Sequence, residues 1–220
     1  MKLPISDRLL ACCGFVAPGD RIADVGCDHG YLSIYLLTNG IARSAIAPDL
    51  REGPLRSAVI NAEKYGVRDR MEFYLSDGVR NIPRDFDTLV CAGMGAHTMI
   101  SILEAAPWLK DEHYRLILQC QIKTPMLRAF LSENGWYISR ESVLRDGKFL
   151  YTVMEVCWDP SAAKLTPGQC YLPPVLSGGE VGEYRRWVVK DLKKIVTSRG
   201  ETADPFLAAA LNELKKENDQ

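Results

Sequence analysis

The sequence offers little metal-binding chemistry. It holds three histidines, at 29, 97 and 113, none spaced to share a metal with another, and seven cysteines with no CxxC pair. A structural zinc is therefore not expected, and no metal is assigned. An odd set of cysteines (12, 13, 27, 91, 120, 157, 170) scattered through apolar runs reads as reduced, buried thiols rather than a disulfide framework. No apolar run approaches the roughly 20 residues a membrane helix needs. The opening stretch MKLPISDRLLACCGFVAPGD has one lysine and interrupts its apolar run with Asp7 and Arg8. That is a poor export signal, so the cytoplasm is the expected compartment. An excess of either charge is missing too. The chain has 27 Lys and Arg against 28 Asp and Glu, a net charge of −1, which excludes a uniformly basic polyanion binder. The local exception lies between Arg185 and Arg199, where six basic residues (185, 186, 190, 193, 194, 199) accompany one acid, Asp191. Contact with a nucleic acid is expected there first.

What is present suffices for one full core and a small annex: 220 residues, 47% of them hydrophobic. Up to Trp158, β-rich runs alternate with helical stretches, the pattern of an α/β domain built on a mostly parallel sheet. Strands are expected at RIADVG, RSAIAPD, MEFYLS, DTLVCAG and YRLILQ, and helices at 30–39, 53–65, 96–105 and 124–134. Gly40, Gly66 and Gly135 stand where those helices should end. The stretch WYISRESVLRDGKFLYTVMEVCW carries a turn signal, RDGK, between two strand-like halves. Five β-α units closed by an antiparallel hairpin predict the seven-stranded, Rossmann-like sheet of class I methyltransferases over residues 1–158. Residues 159–182, with Pro160, Pro167, Pro173, Pro174 and four glycines, read as a linker. Over 183–220, Tyr184, Trp187, Val188, Leu192, Ile195 and Val196, then Phe206, Leu207, Ala210, Leu211 and Leu214, recur at helical spacing. They predict an antiparallel helical pair, a short coiled coil.

The first strand runs into Gly26-Cys27-Asp28-His29-Gly30. A dinucleotide loop would place a close-approach glycine where Asp28 stands, and an acid there would repel a pyrophosphate. The same acid would attract the ammonium and sulfonium of S-adenosylmethionine, with Asp24, Gly26 and Gly30 framing a backbone path beneath its methionine part. A turn capped by Asp28 is the competing reading. The second strand ends at Asp49, followed by Leu50, suited to two ribose hydroxyls; the third ends at Ser76-Asp77-Gly78, suited to an adenine amino group. Single acids at strand ends are often helix caps. Three acid-bearing strand ends in succession favour one cofactor, S-adenosylmethionine. Gly93 and Gly95 flank Met94 after the fourth strand, where an Asp/Asn-Pro-Pro-aromatic clamp is absent. Met94 belongs either to the reacting centre or to the core. Tyr31 could stack on a substrate base or pack inside.

The stretches ISDRL, ADVGCDHGYLSIYL, AIAPDLREGPLRSA, SDGV, DTLVCAGMGAHTMISIL and LILQ…LRAFLSENGWYI occur in the order seen in the bacterial tRNA (adenine(22)-N1)-methyltransferase family. The chain resembles that family over residues 3–157. The resemblance implies methyl transfer from S-adenosylmethionine to adenine N1 at position 22 of tRNA. It puts Asp24, Gly26, Asp28, Asp49, Asp77, Gly78, Gly93 and Met94 on cofactor or active-site positions, and Arg8 near the target base. Asp28, Met94 and Arg8 are the catalytic candidates. Arg185, Arg186, Lys190, Lys193 and Lys194 are the candidates for docking tRNA, and a monomer is expected. The chain departs from the family pattern at Pro48, Arg51-Glu52, Ala96 and Gln119-Cys120-Gln121. A methyltransferase acting on another RNA, a small molecule or a protein, or a non-catalytic RNA-binding relative, are the alternatives.

Overall fold

The computed structural model describes residues 3–199 and 204–218, apart from the side chains of 199, 217 and 218. Five parallel strands form its centre: β1 (Arg21–Val25), β2 (Ser44–Asp49), β3 (Met71–Leu75), β4 (Thr88–Met94) and β5 (Arg115–Cys120). β1, β2, β4 and β5 are almost wholly buried because helices cover both faces, which explains their unbroken apolar runs. β6 (Trp136–Asp146) and β7 (Phe149–Trp158) form the expected hairpin, turning through Gly147 and Lys148 with Gly147 at φ +59°.

α1 (Asp7–Cys13), α2 (Tyr31–Thr38) and α3 (Glu52–Lys64) pack on one face around Cys12, Cys13, Ile34, Leu36 and Ala58. α4 (Ala96–Glu104) and α5 (Thr124–Glu133) cover the other, around Met99, Leu103, Leu127 and Leu131. Gly40, Gly66 and Gly135 follow α2, α3 and α5 in the left-handed region, as their sequence positions suggested. α1 was not foreseen. It is seven residues long, too short to show a period, and Ser6 starts it by accepting the Leu9 N–H at 3.4 Å.

The sheet has eight strands, not seven, in the order β3-β2-β1-β4-β5-β7-β6-β8. The extra strand, β8 (Leu176–Ser177), lies in the segment expected to be a linker and pairs in parallel with β6. The same segment holds α6 (Pro167–Tyr171), started by a reciprocal capping box between Thr166 and Gln169. Arg128 of α5 fastens this segment to the core. Its fully buried guanidinium holds both oxygens of buried Glu141 (2.6 and 3.1 Å) and donates to the carbonyls of Cys170 and Tyr171 at 2.9 and 3.1 Å. The Glu141 charge beside it raises the Arg128 pKa further against the opposing effect of burial.

α7 (Val181–Arg199) and α8 (Pro205–Asn218) share a cluster made of Tyr184, Val188, Leu192, Val196, Leu207, Ala210, Leu211 and Leu214. That cluster also takes Val143 of β6 and Leu172, so the two helices rest on the sheet edge rather than standing away from it. Glu213 accepts from the Thr166 hydroxyl (2.6 Å) and the Gly168 N–H (2.8 Å), tying α8 to α6. Two residues assigned to the apolar stripes depart from them: Phe206 is 40% exposed, and Trp187 is 54% exposed and touches the Tyr184 ring from outside.

Candidate active site

A cavity of about 500 Å³ opens at the carboxyl ends of the parallel strands, where the chain order reverses between β1 and β4. In an open α/β sheet the loops diverge at that point and leave a crevice. Of the residues assigned to the cofactor or to catalysis, Arg8, Asp24, Gly26, Asp28, Asp49, Leu50, Asp77, Gly78, Gly93 and Met94 all line it. Gly30 does not. Its left-handed backbone (φ +73°) starts α2, and a side chain there would meet Ala58 of α3 at 3.1 Å, so its role is close packing.

Each acid is set by its strand end. Asp24, at the end of β1, is buried and accepts the Ser33 hydroxyl at 2.8 Å. Burial pushes its pKa up to about 6, opposed by the Ser33 hydrogen bonds and assisted by the Asp49 charge. Asp49, at the end of β2, takes one backbone N–H on each oxygen, from Asp28 at 3.1 Å and from Arg51 at 2.9 Å. The preceding residue, Pro48, has no N–H to give, yet its carbonyl accepts from Gly26 and Cys27 at 3.0 and 3.1 Å. The departure at Pro48 thus leaves the β1–α2 loop anchored. Asp77 is exposed and meets Arg80 at 3.6 Å.

Asp28 sits at φ +50°, in a region that non-glycine residues rarely enter. Its side chain is 63% exposed, and α2 has no side-chain cap, so the capping reading of Asp28 does not hold. Asp24, Asp28 and Asp49 pair with no lysine or arginine among the described residues. Asp28 meets the His29 ring at 3.8 Å, and this wall of the cavity presents an acidic surface suited to a cation. Tyr31 lines the cavity with its ring stacked on His29 at 5.7 Å.

The wall at β4 is shaped by glycine. A Cβ on Gly26 would lie 2.5 Å from the Met94 terminal methyl, so Met94 closes over a bare backbone. Gly93 (φ +80°) sits in a bulge of β4 against β5, and its N–H donates to the buried Gln119 side chain at 3.0 Å. The same Gln119 oxygen accepts from Arg8 at 2.8 Å, which brings α1 across the site. Asp146 at the hairpin tip lies 3.6 Å from the other side of the Arg8 guanidinium. Sequence reasoning missed Gln119, Gln121, Thr98 and Ser101 as lining or supporting residues. Only the polar pair flanking Cys120 at the end of an apolar strand hinted at the first two.

A family model described as a methyltransferase domain matches residues 5–154. Over 164 residues the chain is 32% identical to the tRNA (adenine(22)-N(1))-methyltransferase of Bacillus subtilis, covering 74% of this chain and 69% of that protein. The chain belongs to the tRNA (adenine(22)-N1)-methyltransferase family. A Streptococcus pneumoniae protein solved in complex with S-adenosyl-L-methionine superposes with a TM-score of 0.82 at 30% identity, covering 96% of this chain and 98% of that one. The Bacillus subtilis tRNA methyltransferase TrmK superposes with a TM-score of 0.78 at 25% identity, covering 99% and 97%. Similarity to this methyltransferase family therefore extends through α7 and α8 in structure, beyond the residues matched by the family model. On α7, Arg185, Arg186, Lys190 and Lys193 border a shallow groove, and Lys194 is exposed nearby. None of these residues lines the main cavity. The side chain of Arg199 lies outside the described residues.

Proposed function

We propose that the chain transfers a methyl group from S-adenosylmethionine to N1 of adenine at position 22 of tRNA. The observation that carries this reading is the acidic, glycine-floored crevice, in a chain of this family, with no lysine or arginine paired to Asp24, Asp28 or Asp49. The cofactor, when bound, supplies an electrophilic methyl whose bond to a sulfonium sulfur breaks as the new bond to nitrogen forms. Asp24 and Asp28 suit its positive charges. Each Asp49 oxygen takes one backbone N–H and keeps a lone pair for a ribose hydroxyl. Asp77, exposed at the end of β3, suits the cofactor's adenine amino group.

Adenine N1 attacks with an in-plane lone pair, so the site needs no base to remove a proton first. The product ring is a cation, and the Asp28 carboxylate is the group placed to stabilise the growing charge. Alignment supplies the rest: Met94 and the bare backbone of Gly93 confine the reacting atoms. The target base must leave its stack to enter the crevice. The α7 cations would hold tRNA phosphates outside it, and α7 with α8 form a pair that we read as a short coiled coil serving this docking. A small-molecule substrate would be favoured had that basic face been buried, but Arg186, Lys190, Lys193 and Lys194 are exposed. The test is incubation with labelled cofactor and unmodified tRNA, then mapping of the methylated nucleotide by mass spectrometry. Label on N1 of adenine 22 is expected; label elsewhere, or none, refutes the proposal.

A further inference from the structure

Gln121 follows β5 on the side of the cavity away from Asp49 and Asp77. Those acids sit at the ends of β2 and β3, so a nucleoside cofactor held by them leaves the β4–β5 side for the methyl acceptor. The Gln121 backbone is fixed there, its N–H donating to the Met94 carbonyl at 2.8 Å. Its side-chain amide nitrogen lies 3.7 Å from the point a Cβ on Gly93 would occupy, and an Arg8 nitrogen lies 2.9 Å from that same point. Arg8 is bonded to Gln119, and Gln119 in turn holds Arg8, the Gly93 N–H and the Cys120 carbonyl. Gln121 is different: its exposed amide lines the cavity with no hydrogen-bond partner among the described residues.

An amide offers one acceptor and one donor side by side. With the Watson–Crick edge turned to the methyl donor, a base shows the amide its Hoogsteen edge, and there only adenine of the four RNA bases presents the matching pair, the N6 amino group as donor and N7 as acceptor. Guanine would set its O6 against the amide oxygen, and pyrimidines have no N7. The edge so used also leaves N1 free. We propose that Gln121 selects the target base by pairing with N6 and N7 of adenine, turning N1 toward the methyl donor. This inference rests on the proposed adenine-N1 activity and names a specificity-determining residue for it.

The test uses two tRNAs, one with adenosine and one with 7-deazaadenosine at position 22. Each is assayed for kcat/KM with the parent protein, Gln121→Leu and Gln121→Glu. Replacing N7 by carbon should lower kcat/KM of the parent about five- to tenfold, the value of one neutral hydrogen bond, relative to the same ratio for the variants. Neither variant can donate to N7, so both should respond to the replacement equally, and any change in intrinsic N1 reactivity cancels between enzymes. On natural tRNA, Gln121→Leu should lose roughly 10- to 100-fold in kcat/KM. Calorimetric cofactor affinity and the melting temperature should not move, since the side chain is exposed and has no hydrogen-bond partner among the described residues. The same factor on 7-deaza substitution in all three proteins, or full activity of Gln121→Leu, would overturn the assignment. A parent protein that leaves natural tRNA unmethylated would instead refute the activity on which it rests.

Discussion

Asp24 makes stability depend on pH in an unusual direction for a carboxylate. The group is buried at the cavity wall near the end of β1, and its pKa rises from a usual 3.8 to about 6 because burial penalises the charged form more than Ser33 relieves it. The folded state therefore holds this proton more tightly than the unfolded chain does. The resulting stabilisation is complete below pH 3.8, declines as pH rises, and is lost above about 6. Converted at 1.36 kcal/mol per pH unit, the gap corresponds to about 3 kcal/mol of native-state penalty at pH 8. Asp24→Asn is nearly isosteric, can still accept from Ser33, and does not titrate. Urea unfolding of parent and variant across pH 4–8 should show the variant gaining on the parent as pH rises. The difference between them should change by about 3 kcal/mol across the titration. Subtracting the two curves removes the titrating groups that are not coupled to Asp24. A difference that stays constant with pH would refute the buried-carboxylate argument. A bound ammonium would favour the charged form, so cofactor binding near pH 6 should release a proton, visible as a buffer-dependent calorimetric heat.

Asp49→Ala should weaken cofactor binding by roughly 1–3 kcal/mol by calorimetry, the value of hydrogen bonds to a charged group, and an unchanged affinity would remove Asp49 from the site. Asp28→Asn should lower kcat more than cofactor affinity and leave folding intact, because asparagine tolerates the left-handed backbone at φ +50°; equal losses would confine Asp28 to the methionine end of the cofactor. Replacing Arg186, Lys190, Lys193 and Lys194 together by Gln should raise KM for tRNA and flatten its salt dependence at constant cofactor affinity; an unchanged salt slope would make α7 purely structural. Arg128→Leu should destabilise by about 3–5 kcal/mol in urea unfolding, since it strands the buried Glu141 carboxylate. A smaller loss would show that water reaches Glu141.

The central α/β architecture was legible because its signals are local. Buried parallel strands read as short apolar runs, helices as the stretches between them, three ended by Gly40, Gly66 and Gly135, and the hairpin as RDGK. The acids at 24, 28, 49 and 77 were legible for the same reason: a strand end at the carboxyl edge of such a sheet faces the crevice wherever the strand is placed. What stayed hidden depends on residues far apart in the chain. Arg8 meets Gln119 across 111 positions, and that contact, with Asp146 at the hairpin tip and the packing of Cys12 and Cys13, carries α1 over the cavity. The pairing of Arg128 with Glu141, and of Arg128 with the 170–171 carbonyls, turns a proline-rich stretch into part of the core beside the eighth strand. Whether Asp28 caps a helix or faces the cavity, and whether Gly30 serves a ligand or Ala58, are also undecided by spacing. Sequence periodicity determines which face of an element is apolar; what that face, or a lone polar side chain, finally meets is decided only when distant segments compete for the same space.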